Sequence, residues 1–389
     1  MTLNLVPGVE ALVDEMTAWR RDIHAHPETA YEETRTAALV ADKLARFGLE
    51  VHTGLAKTGV VGVLKNGDGP AIGLRADMDA LFIDEKTGLD YASTHPGKMH
   101  ACGHDGHTAM LLGAAKHLSD ERNFKGTVVF VFQPAEEGEG GAKVMIEEGL
   151  FDQFPVDAVY GLHNWPGMDV GTFAVKAGPI MAAYDSFEAR ITGHGAHGGM
   201  PHLGVDPVVA AAQVISAWQS IVSRTINPQD AAVISVTQLE AGDAFNVIPD
   251  TVFLKGAVRS FTSEVRDHVW KRMAELAEGI CRGFGAEFEL SLHRSYPATS
   301  NSDTEAGLAA MAAADVVGHH NVDHHPTPSM GAEDFAYMLN ARPGCYVWMG
   351  NGPGEGGCLL HNPHYDFNDR ALGVGASYWV RLVESLLPV

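Results

Sequence analysis

Val128-Val-Phe-Val-Phe-Gln-Pro-Ala-Glu-Glu-Gly138 decides the fold. Its first five residues are apolar without alternation, so both faces of an extended chain here need cover. That is the pattern of a strand inside a mostly parallel sheet with helices on both sides. Pro134 ends the run, and two carboxylates, Glu136 and Glu137, follow directly. Open α/β sheets hold their ligands at the carboxyl ends of the strands. In a chain with 49 acidic residues an acid pair is usually a solvated loop, and its place after a core strand is what marks this one.

The same style extends in both directions. Short apolar runs at 60–64, 72–74, 156–162 and 345–349 read as further strands, and 8–24, 31–47, 106–118 and 140–149 have helical spacing of apolar residues. Gly48 sits where a helix C-cap glycine belongs. Near residue 184 the pattern changes to strand (186–191), helix (205–222), strand (232–239), strand (251–259), helix (263–283) and strand (287–293). That βαββαβ order is ferredoxin-like and complete in itself. The expected architecture is an α/β catalytic domain with a mostly parallel sheet, formed by residues 1–183 and 298–389. An α+β domain, 184–297, is inserted in it.

Composition narrows the class. A chain of 389 residues has room for two domains. Lys+Arg 27 against Asp+Glu 49 gives a net charge of −22, which disfavours nucleic acid and anionic lipid as partners. No stretch reaches the ~18–20 apolar residues that span a bilayer, and the first ten residues lack the basic and apolar regions of a signal peptide. Four scattered cysteines (Cys102, Cys281, Cys345, Cys358) do not form a disulfide framework. A cytoplasmic protein with reduced thiols is expected.

Twenty histidines are the unusual number, and they are grouped: His100/His104/His107, His194/His197/His202, His319/His320/His324/His325 and His361/His364. Cys102 and His104 offer thiolate and imidazole to one cation from a glycine-containing loop before a helix. Of the adjacent acids Glu136 and Glu137, one can ligate metal while the other serves as general base. His163 ends another apolar strand, and His361 lies in Leu360-His-Asn-Pro-His-Tyr-Asp366. A lone histidine is usually structural, but four ligand-bearing segments, three of them beginning or ending apolar strands, point to a metal site. Leu74-Arg-Ala-Asp-Met-Asp79 delivers Asp77 and Asp79 to the same edge, where an acid can orient a metal-bound histidine.

With these segments assembled, the chain resembles the M20 metallopeptidase family, in its aminoacylase, hippurate hydrolase and auxin-conjugate hydrolase branch. The matching segments are His26-Pro-Glu28, Arg75-Ala-Asp-Met-Asp-Ala-Leu81, His100-Ala-Cys-Gly-His-Asp-Gly-His107, Gln133-Pro-Ala-Glu-Glu137 and Gly161-Leu-His-Asn164. Gly195-Ala-His197, Asn246-Val-Ile-Pro249, Ser329-Met-Gly-Ala-Glu-Asp-Phe335 and the His361 segment follow in family order. One departure is Phe82, where the family usually has proline. The resemblance implies two divalent cations (Zn, Mn, Co or Ni) held by Cys102, His104, Glu137, His163 and His361, with Glu136 as general base. It further implies that the inserted domain dimerises and lends His197, Asn246 and Arg259 to substrate binding.

The function expected on this footing is hydrolysis of the amide of an N-acyl amino acid. A dipeptidase or aminopeptidase using the same site is the nearest alternative. A non-catalytic binder of amino-acid conjugates is the alternative from another class, and Glu136 beside Glu137 argues against it, since a binder needs no unligated base.

Overall fold

The computed structural model describes residues 3–353 and 358–389. It divides into two compact units, one of Met1–Ile180, Ser300–Thr327 and Asp334–Val389, the other of Met181–Thr299 and Pro328–Glu333. The short return at Pro328–Glu333 carries no composition signal of its own. Its tie to the second unit is backbone hydrogen bonding: the Ala182 amide donates to the carbonyls of Ser329 and Gly331.

The first unit is built on an eight-stranded sheet. Its spatial order is Glu50–Leu55, Gly59–Asn66, Gly126–Gln133, Ala71–Asp77, Ala158–Trp165, Gly344–Gly350, Phe173–Ala174 and Val322–Asp323. The four strands from Gly126–Gln133 to Gly344–Gly350 are mutually parallel, and the first two strands add an antiparallel hairpin. The parallel strands are the buried ones, as their unbroken apolar runs require. Val128, Phe130 and Phe132 belong to one core with Met110, Leu111, Trp379 and Val383 from the helices His104–Glu121 and Leu372–Leu386. Val129 and Val131, pointing the other way, are buried as well. His104–Glu121 is buried on nearly all sides, so its apolar residues show no stripe.

Two details differ from the sequence reading. The stretch 8–24 is two helices, Pro7–Glu10 and Val13–His24, parted at Ala11 and Leu12. The strand Glu50–Leu55 carries no alternating apolar signal because most of it is exposed. Gly48 does cap Thr34–Arg46, at φ 83°, with its amide bonded to the Ala45 carbonyl.

The second unit is a four-stranded antiparallel sheet in the order Ala232–Ala241, Thr251–Ser260, Ala183–Thr192, Glu287–Arg294. Helices Pro207–Arg224 and Ser263–Phe284 pack against it, and Trp218, Ile221, Val269 and Met273 share a core with Phe187, Ile191 and Leu254. In chain order this is βαββαβ with strand order 4-1-3-2, the split βαβ arrangement. Both helix starts are capped: Asp206 accepts from the amides of Val208 and Val209, and Thr262 from that of Val265. Among the described residues no helix is long and apolar enough to cross a membrane.

Candidate metal centre

The carboxyl ends of the parallel strands bring the first-unit candidates together. Ala71–Asp77 leads to Asp79, Gly126–Gln133 leads to Glu136 and Glu137, and Ala158–Trp165 carries His163. Cys102 and His104 sit at the start of His104–Glu121. The His361 amide donates to the Ala101 carbonyl at 2.8 Å, which seats the late segment on the Cys102 loop. Donor atoms of Cys102, His104 and His163 lie within 4.8 Å of one another, as do those of Cys102, Glu137 and His361, and those of His104, Glu136 and Glu137. The first two groups share Cys102, so the donor set offers two neighbouring cation positions.

Hydrogen bonds determine which ring nitrogens face the centre. His104 Nδ1 donates to the Asp79 carbonyl at 2.8 Å, and His163 Nδ1 to the Asn164 carbonyl at 2.6 Å. Each ring therefore presents Nε2 inward. His163 Nε2 is 3.3 Å from Cys102 Sγ, and Glu137 Oε1 is 3.2 Å from His361 Nε2 and 3.9 Å from His104 Nε2. His104 Nε2 is buried without a hydrogen-bond partner, and Glu137 Oε1 faces the candidate ligand His361. Buried polar atoms are seldom left unpartnered, and a divalent cation satisfies His104 Nε2. The nitrogen, sulfur and carboxylate donors suit zinc and other first-row metals.

His107 shows the contrary case. Its Nδ1 bonds Asp77 Oδ1 at 2.6 Å and its Nε2 accepts the Asn164 amide at 2.9 Å, so both nitrogens are used. It supports the centre and does not ligate it. The Asp79 carboxylate accepts the Glu137 amide at 2.9 Å while its carbonyl holds His104. Asp79 thus contacts both His104 and Glu137.

Carboxylates dominate the electrostatics of the site. Burial works against a charged His104, but Asp77, Asp79 and Glu137 outweigh it and lift the imidazole to about 10. Burial, with Glu137, Glu136 and Asp77 close by, pushes the Cys102 thiol well above its ordinary value. Burial and His107 hold His163 well below the usual histidine value. The hydrogen bond to Glu137 raises His361 despite its partial burial. Protons on His104 and Cys102 occupy the donor atoms a cation would take.

Backbone strain lies in two of the loops. Ala135 and His361 are non-glycine residues with φ of 57° and 63°. The Ala135 amide donates to buried Glu33 at 2.9 Å, and burial lifts Glu33 to about 7. Such conformations persist where the surroundings over-determine them, and they cluster at functional sites. Glu136, grouped with His104 and Glu137, is buried, and the Asp334 amide donates to its Oε1 at 3.4 Å.

The remaining candidates are in the second unit. His197 and Asn246 come side by side on a two-stranded ribbon, where His197 pairs with Val247 and the Gly198 amide bonds the Asn246 carbonyl. Both are exposed. His197 Nδ1 accepts the Gly199 amide at 3.0 Å, which leaves the proton on Nε2 as a free donor. Arg259 lies on Thr251–Ser260 with its guanidinium 4.2 Å over the Tyr184 ring, and among the described residues it has no ion-pair partner. The surface histidines His319, His320, His324 and His325 do not converge into a cluster of donors among the described residues.

Sequence reasoning assigned no role to the buried groups that hold these elements in register. Arg75 bonds Gln133, Asp77 and Asp334, and Gln133 also bonds Asp334. Arg20 joins Asp105 of the His104 helix to Asp366 and Asp369 beyond His361. Fully charged side chains in apolar stretches were the available signal.

Residues 73–385 match the model of peptidase family M20/M25/M40. The chain is 43% identical over 381 residues to the hippurate hydrolase of Campylobacter jejuni, covering 98% of each. It is 42% identical over 378 residues to an N-acetyl-L-cysteine deacetylase of Bacillus subtilis, covering 96% of this chain and 88% of the relative. The crystal structure of the Bacillus subtilis YXEP protein, a dinuclear metal binding peptidase from the M20 family, superimposes with a TM-score of 0.85 at 39% identity, over 97% of this chain and 99% of that one.

Proposed function

The chain belongs to the M20/M25/M40 peptidase family, and from that premise we propose that it is an N-acyl-amino-acid amidohydrolase with two divalent cations, releasing a carboxylic acid and a free amino acid. Relatives that share its full length carry names of this activity, hippurate hydrolase and N-acetyl-L-cysteine deacetylase. The observation that carries the reading is buried His104 Nε2, which has no hydrogen-bond partner, beside Glu137 Oε1 in a Cys/His/Glu set grouped with a further carboxylate, Glu136.

In this reading Cys102, His104, Glu137, His163 and His361 hold zinc, manganese, cobalt or nickel. A bound pair of such cations supplies Lewis acidity, making water acidic and polarising an amide carbonyl. Glu136 accepts a proton from the attacking water and later delivers it to the leaving amine nitrogen. Asp79 positions His104 and Glu137 throughout. His197, with its proton on Nε2, donates to the developing oxyanion, while Asn246 and the guanidinium of Arg259 bind the substrate, Arg259 through the α-carboxylate. The inserted unit serves as the dimerisation domain, and the protein acts in the cytoplasm on small molecules.

The test is turnover. Metal-free protein reloaded with one metal at a time should hydrolyse acetylated and benzoylated amino acids and leave unblocked dipeptides largely intact. Preference for dipeptides with a free amino group would replace this reading with a dipeptidase. Full activity in a verified metal-free sample would remove the mechanism.

A further inference from the structure

Glu136 and Glu137 are neighbours in the chain, yet a carboxylate oxygen of each lies within 4.8 Å of the other and of a His104 ring nitrogen. Adjacent side chains point to opposite faces of a strand and about 100° apart around a helix. Convergence on one centre therefore needs an irregular turn. The chain makes it between the strand Gly126–Gln133 and the helix Gly141–Glu147: Ala135 has φ 57°, Gly138 has φ 91°, and the Gly138 amide donates to the Glu136 carbonyl at 2.8 Å. Glycine takes a left-handed backbone freely, and alanine does not.

The two glutamates have separate anchors. Glu137 is held through its amide by Asp79, and Ala135 through its amide by Glu33 Oε1 at 2.9 Å. Glu33 Oε2 accepts the Thr58 hydroxyl at 2.6 Å, and Glu33, Thr58 and Ala135 are all buried. Glu33 directly precedes the helix Thr34–Arg46, and its carbonyl accepts the Ala37 amide, so the carboxylate reaches the turn from a rigid base. Six described non-glycine residues have positive φ, and four of them surround this carboxylate along the chain: Tyr31 before Glu33, Ala56 and Lys57 before Thr58, and Ala135 itself. Such a concentration of strain marks a place whose geometry is over-determined.

We propose that Glu33 is a positioning residue for the base, holding Ala135 in the left-handed turn that aims Glu136 while Asp79 fixes Glu137 independently. The proposal rests on the amidohydrolase reading.

The experiment measures kcat, KM and bound metal together, on metal-loaded protein with N-acetylglycine and N-benzoylglycine. Glu33→Ala should lower kcat and kcat/KM together, roughly 10- to 100-fold, the effect of a reacting group displaced by about 1 Å, with KM and metal content unchanged. Reach separates positioning from charge. Glu33→Gln has the same length, keeps an acceptor for the Ala135 amide and reverses only the bond to Thr58, so it should retain most of kcat. Glu33→Asp keeps the charge one methylene short and should lose about as much as Glu33→Ala; this pair decides the matter if Glu33→Ala does not fold. Adding Ala135→Gly to Glu33→Ala should regain part of the loss, because glycine holds the turn without a tether. Metal lost in proportion to kcat, Gln as damaging as Asp, or kcat intact in Glu33→Ala overturns the proposal and leaves the amidohydrolase reading standing. Absence of turnover by the unaltered protein defeats that reading instead. A crystal structure of Glu33→Ala, or of Glu33→Asp, then still decides the tether: Ala135 leaving its positive φ while Glu137 stays beside His104 supports it, and an unchanged Ala135 overturns it.

Discussion

His104 and Glu137 are each committed on one side and open on the other. Nδ1 of the histidine and the amide of the glutamate are both taken by Asp79, while the inward His104 Nε2 has no hydrogen-bond partner and Glu137 Oε1 faces the proposed ligand His361. The two glutamates should therefore respond differently. Glu137→Gln should lose metal along with activity. Glu136→Gln should keep metal and lower turnover roughly 10²–10⁴-fold, the usual worth of a general base; metal analysis beside steady-state kinetics separates them. Protonation makes a second expectation. His104, lifted to about 10, and Cys102, held above its ordinary value, carry protons at neutral pH in the metal-free protein. A cation must displace them, so affinity should rise with pH up to about 10, by about tenfold per pH unit for each proton released. Titration calorimetry in buffers of different ionisation enthalpy counts those protons, and an affinity flat across pH 6–9 would contradict the assignment. Glu136, Glu137 and His163 were legible as candidates because they follow or end apolar runs, and Cys102 and His104 because a Cys-x-His pair stands in a glycine-containing loop before a helix. That His107 is used up by Asp77 and Asn164, while its neighbour His104 is open, was not legible, since both share one short motif.

The elements place these residues through loops that tolerate little change. Gly103 starts the His104 helix at φ 88°, and a Cβ there would run into the Asn164 amide and the Tyr365 hydroxyl. Asn164 in turn bonds the Cys102 carbonyl and accepts from Tyr365. Gly103→Ala should lower both thermal stability and metal occupancy, because strain at this position moves Cys102 and His104 together. Arg75 ties three segments of the sheet end through Asp77, Gln133 and Asp334. Arg75→Met would leave two buried carboxylates without their cation, at a cost of about 3–5 kcal/mol, read as a large fall in thermal midpoint. Periodicity revealed the parallel strands because burial on both faces leaves continuous apolar runs. The exposed strand Glu50–Leu55 and the two-residue strands Phe173–Ala174 and Val322–Asp323 carry no such run. They exist because a neighbouring strand offers them hydrogen bonds.

At the scale of the molecule, a chain that leaves its first unit at Ile180 and returns to it at Ser300 depends on the second unit folding by itself. The second unit has its own core and capped helices, and the edge strand Ala232–Ala241 exposes Val233 and Leu239. Pairing with a second copy covers such an edge. If dimers form and His197 acts across them, mixing Glu136→Gln and His197→Ala chains under subunit exchange should restore one working site per mixed dimer. Proven mixing without recovery would place its action within one chain. The sequence by itself determined what is local: strand and helix periods, the βαββαβ order, and the donor residues at strand ends, since each depends on a few neighbouring side chains. Tertiary structure alone decided the partners. Arg20 meets Asp366 and Asp369, and Arg75 meets Asp334, across more than 250 residues of chain. Many acids could have served either arginine, and only the closing of the sheet and its helices excludes water from one set and leaves the rest in solvent.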